Sequence, residues 1–484
     1  MSLGERTREA GRSIFFAARN WITVIGLILT TGAGVSMVVF WGQELVSSRP
    51  IHPYAGIVLF VFLPGLFIGG LLLMPLGMFL RRRRLRKAGE LPTEFPRVDM
   101  SLPEVRKILI VLGIATALNI ILVGTASFKG VEYMDSNRFC GLTCHTVMQP
   151  EYSAFLDSPH SRVGCAQCHI GPGAGWFVKS KLSGTRQLFA VLFKTYSRPI
   201  EDPVKNLRPA RETCEQCHWP KKFTNDKLMV RTKYAEDEAN TPSYTVLLMK
   251  IGGGTANGDV GIHGRHLEDG TAISYISTDD HRQVIPEVTY RDKTGKTTVF
   301  RTDDFNTIPK DKLAKGEHRT MDCVDCHNRP THNFELPERA VNEALSSHAI
   351  SVDLPYIRKK AVEVLKVNYP SREVARTQIP AAISDYYKAS YPVVFQQHKD
   401  LVDQAGEAIL AIYLRYIFPD MRVTWGVHPN NLGHEDFPGC FRCHDGMHNS
   451  ADGQSIPADC DSCHVLLAQD EKDPKILKDL GLVK

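Results

Sequence analysis

Three long apolar runs dominate the first quarter of the chain. They cover residues 21–41, 54–80 and 108–128, and none of them contains a charged residue. A bilayer core about 30 Å thick is crossed by about 20 apolar residues in helical form. Each run therefore predicts a transmembrane helix. Helices buried in a soluble core are the alternative, which three such lengths in succession disfavour.

Positive charges flank these runs unevenly. Arginines crowd the first 20 residues, and Lys and Arg crowd the loop at 81–107, whereas the loop between the first two runs has only Arg49. The basic residues before the first run resemble those of a signal peptide. We predict a retained anchor instead, because the run is longer than the apolar core of a signal peptide, no small-residue cleavage site follows it, and two further runs come later. The positive-inside rule then predicts a cytoplasmic N-terminus in a bacterial inner membrane, with all residues after Phe128 in the periplasm.

Residues 171–200 form a segment with an unusual charge pattern. It contains no Asp or Glu, but it carries five basic residues interleaved with aromatic ones such as Trp176 and Phe189. This pattern is typical of a helix on a membrane surface, with basic side chains at the level of the headgroups. An amphipathic helix packed on a cofactor is the alternative, since a flat cofactor also favours aromatic neighbours.

The rest of the chain alternates between strand-like and helix-like patterns. Residues 245–251, 271–277, 284–290 and 297–301 predict strands, the last two joined by a turn at 292–295. Residues 337–418 predict helices, separated by breaks at Pro355, Pro370, Pro380 and Pro392.

The predicted fold is mainly α, with three N-terminal transmembrane helices and a small β-rich insertion. We predict a membrane anchor at 1–130, a first cofactor region at 131–222, the β-rich insertion at 223–310 and a helical region with further cofactor sites at 311–484.

The net charge of +5 belongs to the anchor. The first 128 residues carry 14 Lys and Arg against 7 Asp and Glu, whereas the remainder carries 44 against 46. The basic balance therefore gives no support to nucleic-acid binding.

All twelve cysteines occur in pairs that are followed at once by a histidine. Five pairs have the spacing C-x-x-C-H, in which two thiols attach haem covalently and the histidine ligates its iron. The first pair has one extra residue between its cysteines. The pairs predict six covalent haems c, because disulfides and zinc ribbons do not require a histidine after every pair. The attachment residues are Cys140/Cys144/His145, Cys165/Cys168/His169, Cys214/Cys217/His218, Cys323/Cys326/His327, Cys440/Cys443/His444 and Cys460/Cys463/His464.

Twelve of the 18 histidines lie outside these motifs. If most of the irons are six-coordinate, about five of the twelve are distal ligands, the arrangement that suits electron transfer. The favoured distal ligands lie near an attachment site or in a loop shaped by Gly or Pro. They are His160, His263, His332, His434 and His448. For each of them, a surface or hydrogen-bonding role is the alternative. Weaker candidates are His266, His318, His348 and His428. Surface positions are predicted for His281 and His398. Met148, three residues after His145, is a candidate sulfur ligand for the first iron, with ordinary packing as the alternative.

The chain resembles the NapC/NirT/NrfH family of membrane-anchored quinol dehydrogenases. The resemblance rests on the anchor, on Met148 after the first motif and on Ser-Pro-His160 before the second. The three spans and the motifs around His263, His332 and Cys440 are similar to the longer inner-membrane members that are linked to extracellular electron transfer. The resemblance implies that menaquinol is oxidised beside the first haem, that Met148 rather than His145 ligates its iron, and that electrons pass through the haems to a periplasmic acceptor.

The chain departs from this family in several respects. Members usually have one span and four haems, an unstretched first motif and an acidic residue after the second haem. Because quinol oxidation releases two protons with two electrons, a base or a water path is required. We predict that Lys179 or Lys181 holds the quinol oxygen and that Asp157 or Glu151 accepts a proton.

The leading function is electron transfer from menaquinol to a periplasmic redox protein. The partners it implies are the quinone pool, periplasmic c-type cytochromes or reductases, the lipid bilayer, and a larger membrane complex or homo-oligomer. One alternative is a haem wire inside a respiratory complex in which another subunit handles quinol. A second is reduction of nitrite or another small anion, which is disfavoured because no motif carries Lys in place of His.

Overall fold

The computed structural model describes residues 20–46, 58–89, 100–101, 103–143, 145–171, 173–204, 208–219, 226–252 and 260–482. The chain forms two compact units, Met1–Cys144 and His145–Lys484, and each is considered by itself below. The N-terminal arginines, Arg49 and residues 90–99, on which the predicted orientation depends, lie outside the described residues.

The first unit consists of three long helices, and each predicted apolar run is helical where it is described. The helices are α1 (Trp21–Val46), α2 (Leu63–Lys87) and α3 (Pro103–Met134). Among the described residues, two stretches, Trp21–Phe40 and Leu63–Lys87, are long and apolar enough to cross a membrane. α3 contains the third predicted run. A π-helical turn at Phe139–Thr143 then carries the first cysteine of the first motif.

Helices α1 and α2 approach each other closely at small residues. A Cβ atom on Gly70 would lie 2.7 Å from the Gly26 carbonyl oxygen and 2.8 Å from the Thr30 backbone nitrogen. The Thr23 hydroxyl also donates to the Met74 carbonyl at 3.2 Å. Small residues and interhelical hydrogen bonds of this kind hold helices together in lipid, where both sides of a helix are equally apolar.

The second unit contains most of the remaining helices and all of the strands. Its helices are α4 (His145–Leu156), α5 (Cys165–His169), α6 (Ala174–Leu192), α7 (Ala210–Cys214), α8 (Ile262–Leu267), α9 (Lys310–Lys315), α10 (Cys323–Cys326), α11 (Pro337–Ser346), α12 (Ile357–Leu365), α13 (Arg372–Ser390), α14 (Pro392–Gln397), α15 (Lys399–Tyr416) and α16 (Lys475–Asp479). The prediction of a mainly helical chain with small β-sheets is confirmed.

Helices α11 to α15, here called the helical core, enclose the largest set of buried apolar side chains. Leu345, Ile357, Ile383 and Ile409 have no exposed surface. The periodicity of residues 337–418 therefore predicted the buried faces correctly. The break predicted at Pro380 was wrong, because Pro380 lies inside α13. A glycine faces this proline: a Cβ atom on Gly406 of α15 would lie 3.1 Å from the Pro380 Cα.

Two antiparallel sheets complete the second unit. One has the order β1-β2-β8 and the other β6-β3-β4-β5-β7. The strands are β1 (Lys227–Tyr234), β2 (Pro242–Met249), β3 (Ala272–Ser277), β4 (Glu287–Arg291), β5 (Thr297–Arg301), β6 (Glu317–Thr320), β7 (Asn449–Ser450) and β8 (His464–Glu471). The β4–β5 hairpin pairs Glu287 with Arg301 across the predicted turn.

The sheets extend beyond the predicted insertion at 223–310. β6, β7 and β8 come from the segments that carry the last three cysteine motifs. β8 begins at His464 itself, where it pairs with Met249 of β2. The sheets thus connect residues 223–310 to those motifs instead of forming a separate insertion.

Candidate haem-binding sites

Single turns of helix carry the cysteine motifs of the second unit. α5, α7 and α10 hold cysteines of the second, third and fourth motifs, and 3₁₀ turns at Gly439–Arg442 and Cys460–Ser462 hold those of the last two. Residues i and i+3 lie on the same side of a helical turn, so each motif presents both thiols to one face. None of the cysteines among the described residues forms a disulfide. No group of three or more metal-binding side chains occurs within the described part of the chain, as a zinc site would require.

Five of the motif histidines each face a histidine from another segment of the chain. Their ring centroids lie 5.8–6.2 Å apart. The pairs are His169 with His332, His218 with His160, His327 with His263, His444 with His266, and His464 with His434.

This spacing fits two imidazoles on opposite sides of one metal ion. Metal–nitrogen bonds of about 2.0 Å on both sides place the two ring centroids about 6.3 Å apart. Rings in van der Waals contact would be closer, as His434 and Phe441 are, at 4.1 Å. The five pairs therefore have the separation that bis-histidine haem ligation requires.

Backbone carbonyls orient these rings through the nitrogen that faces away from the partner. A hydrogen bond at Nδ1 fixes the tautomer in which Nε2 is the basic nitrogen that binds metal. Nδ1 bonds to a carbonyl oxygen in five of them: His160 to Pro330 (3.1 Å), His263 to Ile251 (2.5 Å), His266 to Ile262 (2.8 Å), His332 to Glu151 (2.9 Å) and His444 to Pro457 (2.6 Å).

Burial favours the neutral form of several of these rings. It lowers the pKa of His169 and of His327, and the facing histidine lowers each further. Burial also lowers the pKa of His266 and of His464. Only the neutral imidazole has a lone pair for a metal, so the surroundings favour the state that ligates iron.

Helix α8 supplies two of the facing histidines, and only one of them was favoured from the sequence. His263 and His266 are separated by three residues, and Gly261 allows the helix to approach Lys250, whose carbonyl accepts from the Ile262 amide at 2.7 Å. A Cβ atom on Gly261 would lie 2.5 Å from the Gly252 nitrogen. The signal in the sequence was the second histidine of Gly-Ile-His-Gly-Arg-His, one turn beyond the first.

His448, which the sequence favoured as a distal ligand, occupies a different place. Its Nδ1 lies 2.9 Å from the Asp445 carboxylate and its Nε2 lies 2.8 Å from the Ile285 carbonyl. The side chain is buried. Both ring nitrogens of His448 are thus engaged by the protein, and the histidine opposite His444 is His266.

The attachment sites follow one another in space in the same order as in the chain. The second site is next to the third: burial raises the pKa of the Cys168 thiol, and the nearby Cys165 and Cys217 raise it further. The third site is next to the fourth, because a hydrogen bond between Cys214 and Cys323 lowers the pKa of Cys323. Burial raises the pKa of Cys443 to about 12, with Cys326 contributing. Burial raises the pKa of the Cys463 thiol of the sixth site, and the nearby Cys440 of the fifth site raises it further. The second to sixth sites therefore form a continuous series.

Buried polar residues inside the motifs join the fourth site to the fifth. Arg442, between the cysteines of the fifth motif, donates to the carbonyls of Asp325 (2.6 Å), Arg282 (2.9 Å) and Gly439 (2.8 Å). The Asp325 carboxylate, between the cysteines of the fourth motif, accepts from Tyr275 (2.5 Å) and from Arg319 (2.7 Å). No pattern in the sequence indicated these roles, because the middle positions of C-x-x-C accept many residue types.

A second buried cluster lies behind His332. Arg329 contacts the carboxylates of Glu151 (3.5 Å) and Asp202 (2.5 Å), and its Nη2 lies 2.7 Å from His428 Nδ1. Burial alone would raise the pKa of Asp202, but His428 and Arg329 lower it to about 2. The cluster thus holds an ionised pair close to one of the facing histidines.

Arg208 provides a further test of whether haem fits. Its Nε donates to Glu212 at 3.1 Å, but its buried Nη1 has no hydrogen-bond partner among the described residues. The Arg208 side chain packs on Gly171, which lies just after the second motif. In the chain, Arg208 lies two residues before α7, the helix that carries the first cysteine of the third motif. The Arg208 Nη1 atom can therefore donate to a carboxylate, and a haem propionate between the second and third motifs fits this role.

The four residues predicted for quinol chemistry lie on two segments. Glu151, on α4, is engaged by Arg329 and also lies 3.4 Å from His332 Nδ1. Asp157, directly after α4, pairs with Arg415 at 2.5 Å and is half exposed. Lys179 and Lys181 lie on α6, with the Lys179 ammonium 4.4 Å from the Trp176 ring centroid.

The first attachment site is described only in part. Cys140 lies in the π-helical turn, whereas Cys144 and the side chain of His145 lie outside the described residues. Met148 lies on α4, one turn after His145, and is partly buried.

These features define a membrane-anchored multihaem c-type cytochrome. A model of the NapC/NirT cytochrome c family, N-terminal region, matches residues 102–202. The chain is also 42% identical over 453 residues to the cytochrome c-type protein ImcH of Geobacter sulfurreducens, an alignment that covers 93% of this chain and 88% of that protein. The chain therefore belongs to the NapC/NirT cytochrome c family. No solved structure matches it.

Family membership confirms the coarser predictions from the sequence. The protein is a membrane cytochrome that carries several covalently bound haems c and transfers electrons.

Proposed function

We propose that this protein is a hexahaem quinol dehydrogenase of the bacterial inner membrane. It oxidises menaquinol beside the first attachment site and passes electrons to a periplasmic c-type cytochrome or reductase. The observation that carries the proposal is the set of five histidine pairs, whose centroids lie 5.8–6.2 Å apart in a continuous series. When bound, haem c supplies one-electron oxidation and reduction with little change of ligation.

The paired histidines hold the second to sixth haems. His169, His218, His327, His444 and His464 are the motif ligands, and His332, His160, His263, His266 and His434 respectively are their partners. Two imidazoles at each site exclude a small anion from those irons, which argues against nitrite reduction there.

The first site differs from the other five. Cys140 and Cys144 attach its haem, and Met148 supplies a thioether sulfur from α4. Met148→Leu is expected to change the absorbance of one haem in six, with Met447→Leu, an exposed methionine, as the matched control. An unchanged spectrum of the Met148 variant would exclude the sulfur ligand.

Quinol chemistry near this site requires a proton acceptor and a group that holds the quinol oxygen. Lys179 and Lys181 are the candidates for the second task. Asp157 is better suited than Glu151 to the first, because it is half exposed and exchanges protons with water, whereas Glu151 is mostly buried between Arg329 and His332. Asp157→Asn should therefore slow quinol oxidation more than Glu151→Gln does. Equal rates for Asp157→Asn and the unmodified protein would remove Asp157 from the mechanism.

The proposed topology has three spans. The third is α3, whose 32 residues exceed what a bilayer core requires. The N-terminus then lies in the cytoplasm and the haem sites lie in the periplasm. Reporter fusions after Lys87 and after Met134 are expected to be active in the cytoplasm and the periplasm, respectively.

The test of the proposed function uses the full-length protein in liposomes. Six haems per chain are expected from absorbance and from mass after denaturation. Menaquinol should reduce the haems, and a quinone analogue should block this reduction. Six haems that menaquinol cannot reduce would instead support a wire subunit that receives electrons from another protein.

A further inference from the structure

Helix α6 exposes an apolar face that the described part of the protein does not cover. Its large apolar side chains are between 53% and 68% exposed: Val178, Leu182, Leu188, Phe189 and Leu192, together with Phe193 at the C-terminal end. Helices in proteins obtain most of their stability from packing an apolar face against other groups. This face therefore requires a partner.

The apolar residues share one side of the helix. With 3.6 residues per turn, the five from Val178 to Leu192 fall within an arc of about 120°. Ser180, Ser183 and Gln187 lie on the opposite side. Thr185 lies within the apolar arc, but its hydroxyl donates to the Lys181 carbonyl at 2.8 Å, so it presents little unsatisfied polarity.

Basic residues border this face, and acidic residues are lacking along the whole segment. Lys181 lies near one edge of the arc, and Lys179 and Arg186 lie beyond the other. Residues 171–200 carry five Lys and Arg and no Asp or Glu. A protein partner with an ordinary mixed surface would not select for one sign of charge, whereas an anionic lipid surface does.

We propose that α6 lies in the interface of a membrane that contains anionic phospholipid, with Leu182, Leu188 and Phe189 among the acyl chains. Arg186, with whichever of Lys179 and Lys181 does not hold the quinol oxygen, then reaches outward to the phosphates from a stem that remains in apolar surroundings. The C-terminal end of the helix is fixed to the protein, because Val191, Tyr196 and Ile200 pack on the helical core. This inference concerns lipid binding, which the proposed quinol chemistry does not require.

Photocrosslinking in nanodiscs of mixed phosphatidylglycerol and phosphatidylcholine tests the proposal. A photoreactive residue replaces Phe189 in one full-length variant and Gln187, on the opposite side of the same helix, in the matched control. Phospholipid adducts are expected at 189 and not at 187. Equal yields at the two positions, or adducts with protein at 189, would overturn the proposal, and unchanged haem absorbance verifies that both variants fold.

Hydrogen exchange tests the contribution of charge. Amides of residues 176–190 are expected to exchange more slowly in nanodiscs that contain phosphatidylglycerol than in pure phosphatidylcholine. Arg186→Gln should shift the docking equilibrium, and thus the exchange rate in anionic nanodiscs, by about fivefold, since one basic residue contributes about 1 kcal/mol near such a surface. Exchange that is independent of lipid charge would contradict the proposal.

Discussion

The helical core and the region of the paired histidines are stabilised by different kinds of buried group. In the helical core the fully buried side chains are aliphatic residues and tyrosines, such as Ile383 and Tyr387. In the ligand region several buried side chains are polar or charged: Asp325, Arg329, His428, Asn431, Arg442 and His448. A periodic apolar pattern therefore specifies the first region. Hydrogen bonds between segments more than a hundred residues apart, together with covalent haem, specify the second.

The largest effect is expected from breaking the buried ion pair behind His332. Asp202→Asn leaves Arg329 without its carboxylate partner and should lower the free energy of unfolding by about 3–5 kcal/mol at neutral pH. Because the folded pKa of Asp202 is about 2 and the ordinary value is about 3.9, this stabilisation is complete above about pH 4 and is lost as the pH falls towards 2.

Denaturant unfolding of the full-length protein at several pH values measures this difference. Asp385→Asn, which alters an exposed pair with Lys388, is the control and should change stability by less than about 1 kcal/mol. A penalty for Asp202→Asn that persists unchanged at pH 2 would contradict the assignment.

A cavity in the helical core should affect stability while leaving the haems unchanged. Ile383→Ala removes a fully buried side chain and should cost about 2–5 kcal/mol. Thermal unfolding measures the loss, and Val393→Ala, at an exposed site, should have almost no effect. Altered haem absorbance in folded Ile383→Ala would show that the two regions are less separate than proposed here.

Variants of His266, a weaker candidate from the sequence, and of His448, a favoured one, should differ in their spectra. His266→Ala removes the group opposite His444 and should convert one of six haems to a high-spin form. His448→Ala leaves the Ile285 carbonyl without a partner and should cost about 1–3 kcal/mol without a spectral change. Absorbance and electron paramagnetic resonance distinguish them. A high-spin haem in the His448 variant would restore His448 as the ligand.

The smallest effect is expected at Arg208. A unit charge about 8 Å from an iron, in surroundings with an effective dielectric constant of about 20, would contribute about 2 kcal/mol. Arg208→Gln should thus lower the reduction potential of one or two haems by up to about 90 mV. Spectroelectrochemical titration measures this shift, and Arg162→Gln, at an exposed position, is the control. Unshifted potentials would show that Arg208 does not face a propionate.

The sequence predicted the fold best where one interaction dominates. The length of the apolar runs predicted α1 to α3, and helical periodicity predicted α11, α12 and α15. It failed at Pro380, because the glycine that accommodates this proline lies 26 positions later in the chain. It also missed β8, whose pairing with β2 depends on how residues more than 200 positions apart are brought together.

The candidate sites show the same division. Spacing alone is enough to predict the attachment motifs, because the chemistry of two thioethers and one axial ligand is local, and the number of six stays a prediction. The structure brings four of the five favoured distal histidines opposite a motif histidine. His266 replaced His448 because Gly261 sets the position of α8, and nothing in the residues around His448 indicates that both of its nitrogens are engaged.

The position of His263 and His266 on one helical turn has an evolutionary consequence. Substitutions elsewhere in this turn leave the relative directions of the two rings intact, but the insertion or deletion of a single residue between them rotates one ring by about 100°. Arg265, which is exposed, should therefore tolerate substitution, whereas the segment should resist changes of length, since one insertion would misdirect the ligands of two adjacent irons together.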